Sequence, residues 1–386
     1  MGLALLDGIR VIDLTSTLSG PYASLLLADL GAEVIKLEAP GGDTARDLGP
    51  RVSADLGAVF VNANRNKRSV VLDLRSPQGR ADLKRLTDTA QAFVHNMRPD
   101  AAVRCGADAA TLRDGHPELV HCAIRGYGVD GPYRDRPAYD DIIQAAAGIA
   151  AQQAWMAGRP EYIANAMADK VCGMTAAMAV AAALRQQAAT GAGCAIEVPM
   201  YETMAAFGLL EHLWGRTFVP ARGEARYPRI SSPARRPFRT GDGWLSVVVY
   251  TNQHWSTFFE MIGRPELIAL ERFATLGART DNLDELFQLV EETLQQGTTD
   301  EWVAKLTAAG IPASRYAEVD DLFEDPHLAA VGFFHHVDHP SEGELLQIPT
   351  PLTVDGRRAG PGRPAPRLGA DTAEIMGGLD DPKADG

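Results

Sequence analysis

The sequence predicts an α/β protein: a large domain built on an open parallel sheet, followed by a smaller α+β domain. Three observations carry this. The first forty residues spell a β-α-β unit, strands and helices then alternate to roughly residue 200, and the composition breaks at 222–239 before a hairpin and a run of helices. At 386 residues the chain can bury a sizeable core in each of two domains.

Arg10-Val11-Ile12-Asp13-Leu14 reads as a short apolar strand. Ser19-Gly20-Pro21 opens a helix with Pro near its first position, Gly31 closes it, and Val34 to Leu37 form the second strand. Parallel units of this kind bind ligands beyond the carboxyl ends of their strands. The turn from Thr15 to Gly20 has one glycine in place of G-x-G-x-x-G, so a nicotinamide cofactor is not expected, and Glu38 is only a weak echo of a ribose-binding acid. Next come a strand at Val70 to Leu74, a helix at Pro77 to Thr89, a strand at Ala92 to Val94, a polar turn at His95 to Asp100 and a strand at Leu119 to Ile124. Arg222 to Arg239 has the basic, Pro- and Ser-rich composition of a linker or ordered surface loop. Beyond it lie a turn at Thr240 to Gly243, a strand at Trp244 to Tyr250, and a helix over Glu301 to Ala309 capped by Thr299-Asp300 and closed by Gly310. The Pro/Gly/Arg-rich stretch Gly356 to Pro366 must run across a surface.

Composition narrows the function. Hydrophobic residues at 46% and charged residues at 23% are globular values. A net charge of -13 argues against nucleic acid or an anionic membrane as partner, while leaving room for a local basic pocket that takes a phosphorylated ligand. Met174 to Leu184 is apolar but ends at Arg185, short of a membrane span, and no signal-peptide pattern is present, which predicts a cytoplasmic protein. Cys105, Cys122, Cys172 and Cys194 form no C-x-x-C pair, so the expectation is buried free thiols without disulfide or zinc. His335, His336 and His339 lie in an extended stretch whose alternation puts the first two on opposite faces, and no metal site is expected there.

Asp169 stands at the mouth of a long Ala-rich helical run, Met174 to Gln187. A carboxylate at a helix start faces unpaired N–H groups and the positive end of the dipole, which favour its ionised form. Two readings stay open from this stretch alone: a helix cap, or a positioned nucleophile that attacks an acyl group. Lys170 beside it is expected to point away.

Seven ordered motifs add to this. They are D-L-T-x-x-L-S-G-P-Y-A (Asp13 to Ala23), L-A-D-L-G-A-E-V-I-K-L-E (Leu27 to Glu38), N-R-N-K-R-S-V-V-L-D-L (Asn64 to Leu74), N-M-R-P (Asn96 to Pro99), G-Y-G-x-D-G-P (Gly126 to Pro132), R-P-A-Y-D (Arg136 to Asp140) and A-D-x-x-x-G (Ala168 to Gly173). The set resembles the class III CoA-transferases, the group of formyl-CoA transferase, carnitine CoA-transferase and CaiB/BaiF. The likeness continues through Glu197 to Thr203 and Pro364 to Gly369.

The resemblance implies that Asp169 attacks an acyl-CoA thioester to give an aspartyl-acyl anhydride, which a carboxylic acid acceptor then resolves. It implies CoA contacts at Leu18, Ser19, Leu72, Asp73, Leu74, Arg75, Asn96, Met97, Arg98, Arg104, Arg136 and Tyr139, with Tyr139 and Asp140 near the acyl substrate. Arg98, Arg104 and Arg136 are the candidates for phosphate. Relatives with a basic residue after the second strand differ from this chain, which has Ala39-Pro40 there. CoA and acyl-CoA are substrates, and no metal or redox cofactor is expected. The implied architecture is a Rossmann-like large domain over residues 1–210 completed by 335–386, a small α+β domain over 225–330, and an interlocked homodimer.

Two alternatives remain. The 2-methylacyl-CoA racemases are similar but carry a His-Asp pair where this chain has Ala138-Tyr139-Asp140, and tyrosine, with a pKa near 10, is a poor substitute for histidine. A catalytically silent CoA-binding protein is the other. The Arg226, Arg229, Arg235 and Arg236 cluster suggests an acidic, dicarboxylic acceptor.

Overall fold

The computed structural model describes residues 3–379. They fall into two compact units, one built from the chain up to Ala147, Ala164–Phe207 and the stretch from Pro326, the other from Gly148–Ile163 and Gly208–Asp325. This corrects the expected boundaries. Residues 148–163 leave the first unit, and the return to it begins at Pro326, ahead of residue 335. The physical reason is non-local: in the second unit Trp155 packs edge-on against His212, and Gln152 donates to the Gly208 carbonyl at 3.1 Å.

The first unit centres on six parallel strands: β1 (Arg10–Leu14), β2 (Glu33–Glu38), β3 (Lys67–Val71), β4 (Ala92–His95), β5 (Val120–Arg125) and β6 (Ala195–Pro199). Their order is β3-β2-β1-β4-β5-β6, the doubly wound arrangement whose direction reverses between β1 and β4. Ile12, Ile35, Val70 and Phe93 project into one core with Leu83 and Leu86 of helix α2 (Pro77–Thr87). Helix α1 (Ser19–Asp29) follows β1, α3 (Pro99–Cys105) follows β4, and α4 (Asp140–Ala146) follows β5. The long α5 (Met167–Thr190) lies along α1, α6 (Met200–His212) follows β6, and α7 (Thr372–Gly378) packs on β3.

Several expectations shift. β3 starts at Lys67 because that lysine is fully buried as an ion pair, which hydropathy does not flag. α5 starts at Met167, so Asp169 lies inside its first turn and is no cap. By length and composition α5 is also apolar enough to cross a membrane, which corrects the reading that stopped its apolar run at Arg185; in this fold it packs on α1.

Buried charges fix the turn between β1 and α1. Asp13 pairs with the Lys67 ammonium at 3.0 Å and accepts the Ser24 hydroxyl at 2.6 Å. Burial opposes the Asp13 charge, but Lys67 and Lys36 hold its carboxyl below the usual range. Lys36 pairs with Asp43 at 3.0 Å and donates to the Thr15 carbonyl at 2.9 Å. Asp43 accepts the N–H of Thr17, a non-glycine residue held at φ +70°. Asn96, just past β4, closes the set by exchanging two hydrogen bonds with the Ser16 backbone, at 3.0 and 2.8 Å. The turn at the switch point is thereby pinned from three strands.

The second unit holds a three-stranded antiparallel sheet, Phe238–Arg239, Trp244–Val247 and Ala313–Arg315. Its core includes Leu245, Trp255, Phe258, Phe259, Phe287, Val290 and Leu306. The helix Thr299–Ala308 starts from a capping box of Thr298 and Glu301, one residue before the expected cap, because the Thr299 hydroxyl is bound to Asp242 at 2.8 Å. Arg226 is tied to Ser231 and Arg236 to Glu291 at 2.9 Å, so these two arginines brace their own unit.

Candidate active site

Beyond the carboxyl ends of β1, β4 and β5 lies a cavity of about 210 Å³ lined by Ser16, Ser19, Asn96, Met97, Arg98, Arg125, Arg136, Tyr139 and Asp169, among others. A second hollow of about 490 Å³ runs over β2 and β3 and shares Ser16, Asn96 and Met97 with the first. Together they trace one groove, at the position where an open α/β sheet binds ligands.

Asp169 reaches this cavity because two elements touch without intervening side chains. Gly173, one turn after Asp169, faces the start of α1; a Cβ there would lie 2.6 Å from the Ser19 carbonyl oxygen. The missing methyl lets α5 settle on Ser19, and Ser19 hydrogen-bonds the Asp169 side chain. Asp140 supplies the helix cap that local sequence lacks. Its Oδ1 accepts the Asp169 N–H at 2.9 Å, and its Oδ2 accepts the Gln144 amide at 2.6 Å.

Burial and the neighbouring Asp140 charge push the Asp169 carboxyl up from 3.8 to about 6, against the Ser19 hydrogen bond. The expectation that the helix start would favour ionisation is therefore corrected, since loss of solvent and a like charge outweigh it. The result is an unusually basic carboxylate, still mostly ionised at neutral pH, in a concave site. That is the pattern of a nucleophile or general base. Burial also pushes the Cys172 thiol, reinforced by Asp169 and Asp140, up to about 12, which leaves it inert.

Most of the site residues expected from sequence converge on the groove. Leu72, Asp73, Leu74 and Arg75 line the larger hollow, with Arg75 bound to Asp73 at 2.9 Å on the exposed rim. Asn96 and Met97 line both parts. Ser19, Arg98, Arg136 and Tyr139 line the smaller, Tyr139 at 72% exposure, and the Arg136 guanidinium lies 3.8 Å from the Tyr133 ring centroid. Three do not line it. Leu18 is the residue before α1, Arg104 is exposed on the last turn of α3, and Asp140 is turned to its capping role. Glu38 lines the larger hollow, and both its oxygens are already bound by Arg46 at 2.7 Å. Arg125 and Arg134 also line the smaller cavity; the sequence signal for Arg125 is a charged residue closing a buried strand.

Of the histidine cluster, His336 pairs with Glu344 at 3.0 Å on a strand edge while His339 is buried against the Ala365 carbonyl at 2.9 Å. They serve separate surfaces.

A sequence model of the family described as CoA-transferase family III matches residues 6–372. The succinate–glutarate CoA-transferase of Agrobacterium fabrum is 33% identical, with 97% of this chain and 96% of the relative covered. The "Probable fatty acyl-CoA transferase Rv3272" of Mycobacterium tuberculosis is 32% identical, over 96% of this chain and 97% of the relative. A crystal structure of Rv3272 superposes with a TM-score of 0.82 at 31% identity, covering 96% of this chain and 98% of that one.

Proposed function

The chain belongs to CoA-transferase family III, and from that premise we propose that it moves CoA from an acyl-CoA donor to a carboxylic acid through an acyl anhydride on Asp169. The observation that carries this reading is the Asp169 carboxyl itself, raised to about 6 and facing a cavity that opens into the groove over β2 and β3. An Asp169 carboxylate oxygen attacks the thioester carbon, the C–S bond breaks, and CoA leaves as thiolate. The acceptor carboxylate then attacks the carboxyl carbon of Asp169 in that anhydride, displacing the donor acid and leaving an anhydride between Asp169 and the acceptor; the returning thiolate attacks the acceptor's acyl carbon, which forms the new acyl-CoA and frees the Asp169 carboxylate. Splitting the reaction this way replaces one difficult step by easier ones. The burial that raises the Asp169 pKa also limits the water that would hydrolyse the anhydride.

In this reading Leu72 to Arg75, Asn96 and Met97 line the path of the pantetheine arm, and the exposed Arg98 and Arg136 receive phosphate. The relatives are named for glutarate in one case and for fatty acyl groups in another, so family membership leaves the acyl class to the pocket. The reading also carries the interlocked pair of chains; exposed apolar side chains such as Met178 and Leu210 are consistent with it.

The test is to incubate the protein with acyl-CoA, trap the ester or anhydride with hydroxylamine or borohydride, and map the adduct by mass spectrometry. The expected adduct is on Asp169 and absent in Asp169→Asn, with exchange lowered by about 10³-fold or more. Undiminished exchange in that variant overturns the mechanism. Deuterium entering the α-carbon of a 2-methylacyl-CoA from heavy water, without CoA transfer, identifies racemase action instead.

A further inference from the structure

Arg125 closes β5 and lines the same cavity as Asp169. Its side chain is 15% exposed, and its Nε and Nη1 are buried without a hydrogen-bond partner. Glu197 is the acid beside it, with Oε2 at 3.5 Å from Nε, while its Oε1 accepts the Val129 N–H at 2.9 Å. That spacing offsets charge but gives neither nitrogen a hydrogen bond. No ion pair joins Arg125 to Asp169 among the described residues, and the Asp169 shift arises from burial, Asp140 and Ser19. Buried guanidinium donors left open are costly unless something occupies them, and an anionic oxygen satisfies such a donor with a charge-assisted hydrogen bond.

The other arginines of the cavity differ. Arg98, Arg134 and Arg136 are exposed; Arg134 sits 3.4 Å from Asp135 and Arg136 lies over Tyr133. Exposed to solvent, they can meet an anion outside the cavity, such as a phosphate of CoA. Arg125 is instead largely buried in the wall of the cavity of about 210 Å³ that Asp169 also lines, where an acyl group must lie for Asp169 to reach it. Arg226 and Arg236, two of the sequence's four candidates for an acidic acceptor, are already bound within the second unit.

We propose that Arg125 holds the non-reacting carboxylate of a short dicarboxylic acid, making this site selective for dicarboxylyl groups over monocarboxylyl groups of equal length. The inference rests on the proposed attack by Asp169 and adds the substrate class to it.

The experiment compares succinyl-CoA with butyryl-CoA in single-turnover acylation of the full-length protein. The wild type is expected to favour succinyl-CoA by about 30-fold or more, and Arg125→Gln to collapse that ratio toward one. Arg125→Lys, which keeps the charge but loses the fork, is expected to fall between. A ratio unchanged in Arg125→Gln, or a wild type that prefers butyryl-CoA, overturns the proposal. Succinate against its half-amide as acceptors for the wild type repeats the test without any variant: a lost charge at constant shape must lower kcat/KM by a similar factor, and equal use of the two overturns the proposal. If neither ester acylates Asp169 while CoA exchange proceeds, the anhydride reading fails on its own, and the succinyl-to-butyryl ratio in steady-state exchange still decides the role of Arg125.

Discussion

Asp169 carries a conflict between stability and chemistry that can be measured. In the folded chain its carboxyl is raised from 3.8 to about 6, so the native state holds this proton more tightly than the unfolded chain does. The penalty is absent below about pH 4 and complete above about pH 6, and stability falls as pH rises across that window. Asp169→Asn should therefore raise the melting temperature at pH 8, by about 2–4 °C for each kcal/mol recovered, with a smaller gain at pH 4. The same proton governs rate, since only the carboxylate attacks: kcat/KM should fall below about pH 6 with a slope of one proton. Removing the neighbouring charge with Asp140→Asn keeps an acceptor for the Asp169 N–H and should shift that limb to lower pH, which a pH–rate profile reads directly.

At the scale of elements, the site depends on how closely α5 approaches α1. Gly173→Ala places a methyl 2.6 Å from the Ser19 carbonyl, so the helix must back away; we expect a loss of about 1–3 kcal/mol in denaturant unfolding. The misplaced carboxylate should also lower kcat by about 100-fold. The A-D-x-x-x-G spacing was legible in the sequence because helical period alone puts Gly173 one turn from Asp169. The start of the helix was not legible, because its cap comes from Asp140, 29 residues upstream. Lys67 misled in the same way: a lysine reads as surface until Asp13 is folded against it. Arg125 is illegible for a related reason, since nothing local distinguishes a braced arginine from one whose donors lack partners.

Across the whole first unit, the sheet edge at β3 is finished by the other end of the chain. Asp371 accepts the Ser69 N–H at 2.8 Å, Thr372 accepts the Val71 N–H at 3.0 Å, and the Arg363 carbonyl accepts the Asn66 N–H at 2.8 Å. A chain ending at Gly360 should leave those donors on an open edge and be recovered as aggregate in size-exclusion chromatography. The alternation of strands and helices made the parallel sheet legible, whereas residues 148–163 joined the second unit through partners more than fifty positions away. Ser69 and Asp371 are 302 residues apart, so during synthesis β3 waits roughly 15–60 s for its cover. Until the last stretch leaves the ribosome, the nascent protein carries an adhesive margin, and its yield in a cell hinges on what shields that margin in the interval.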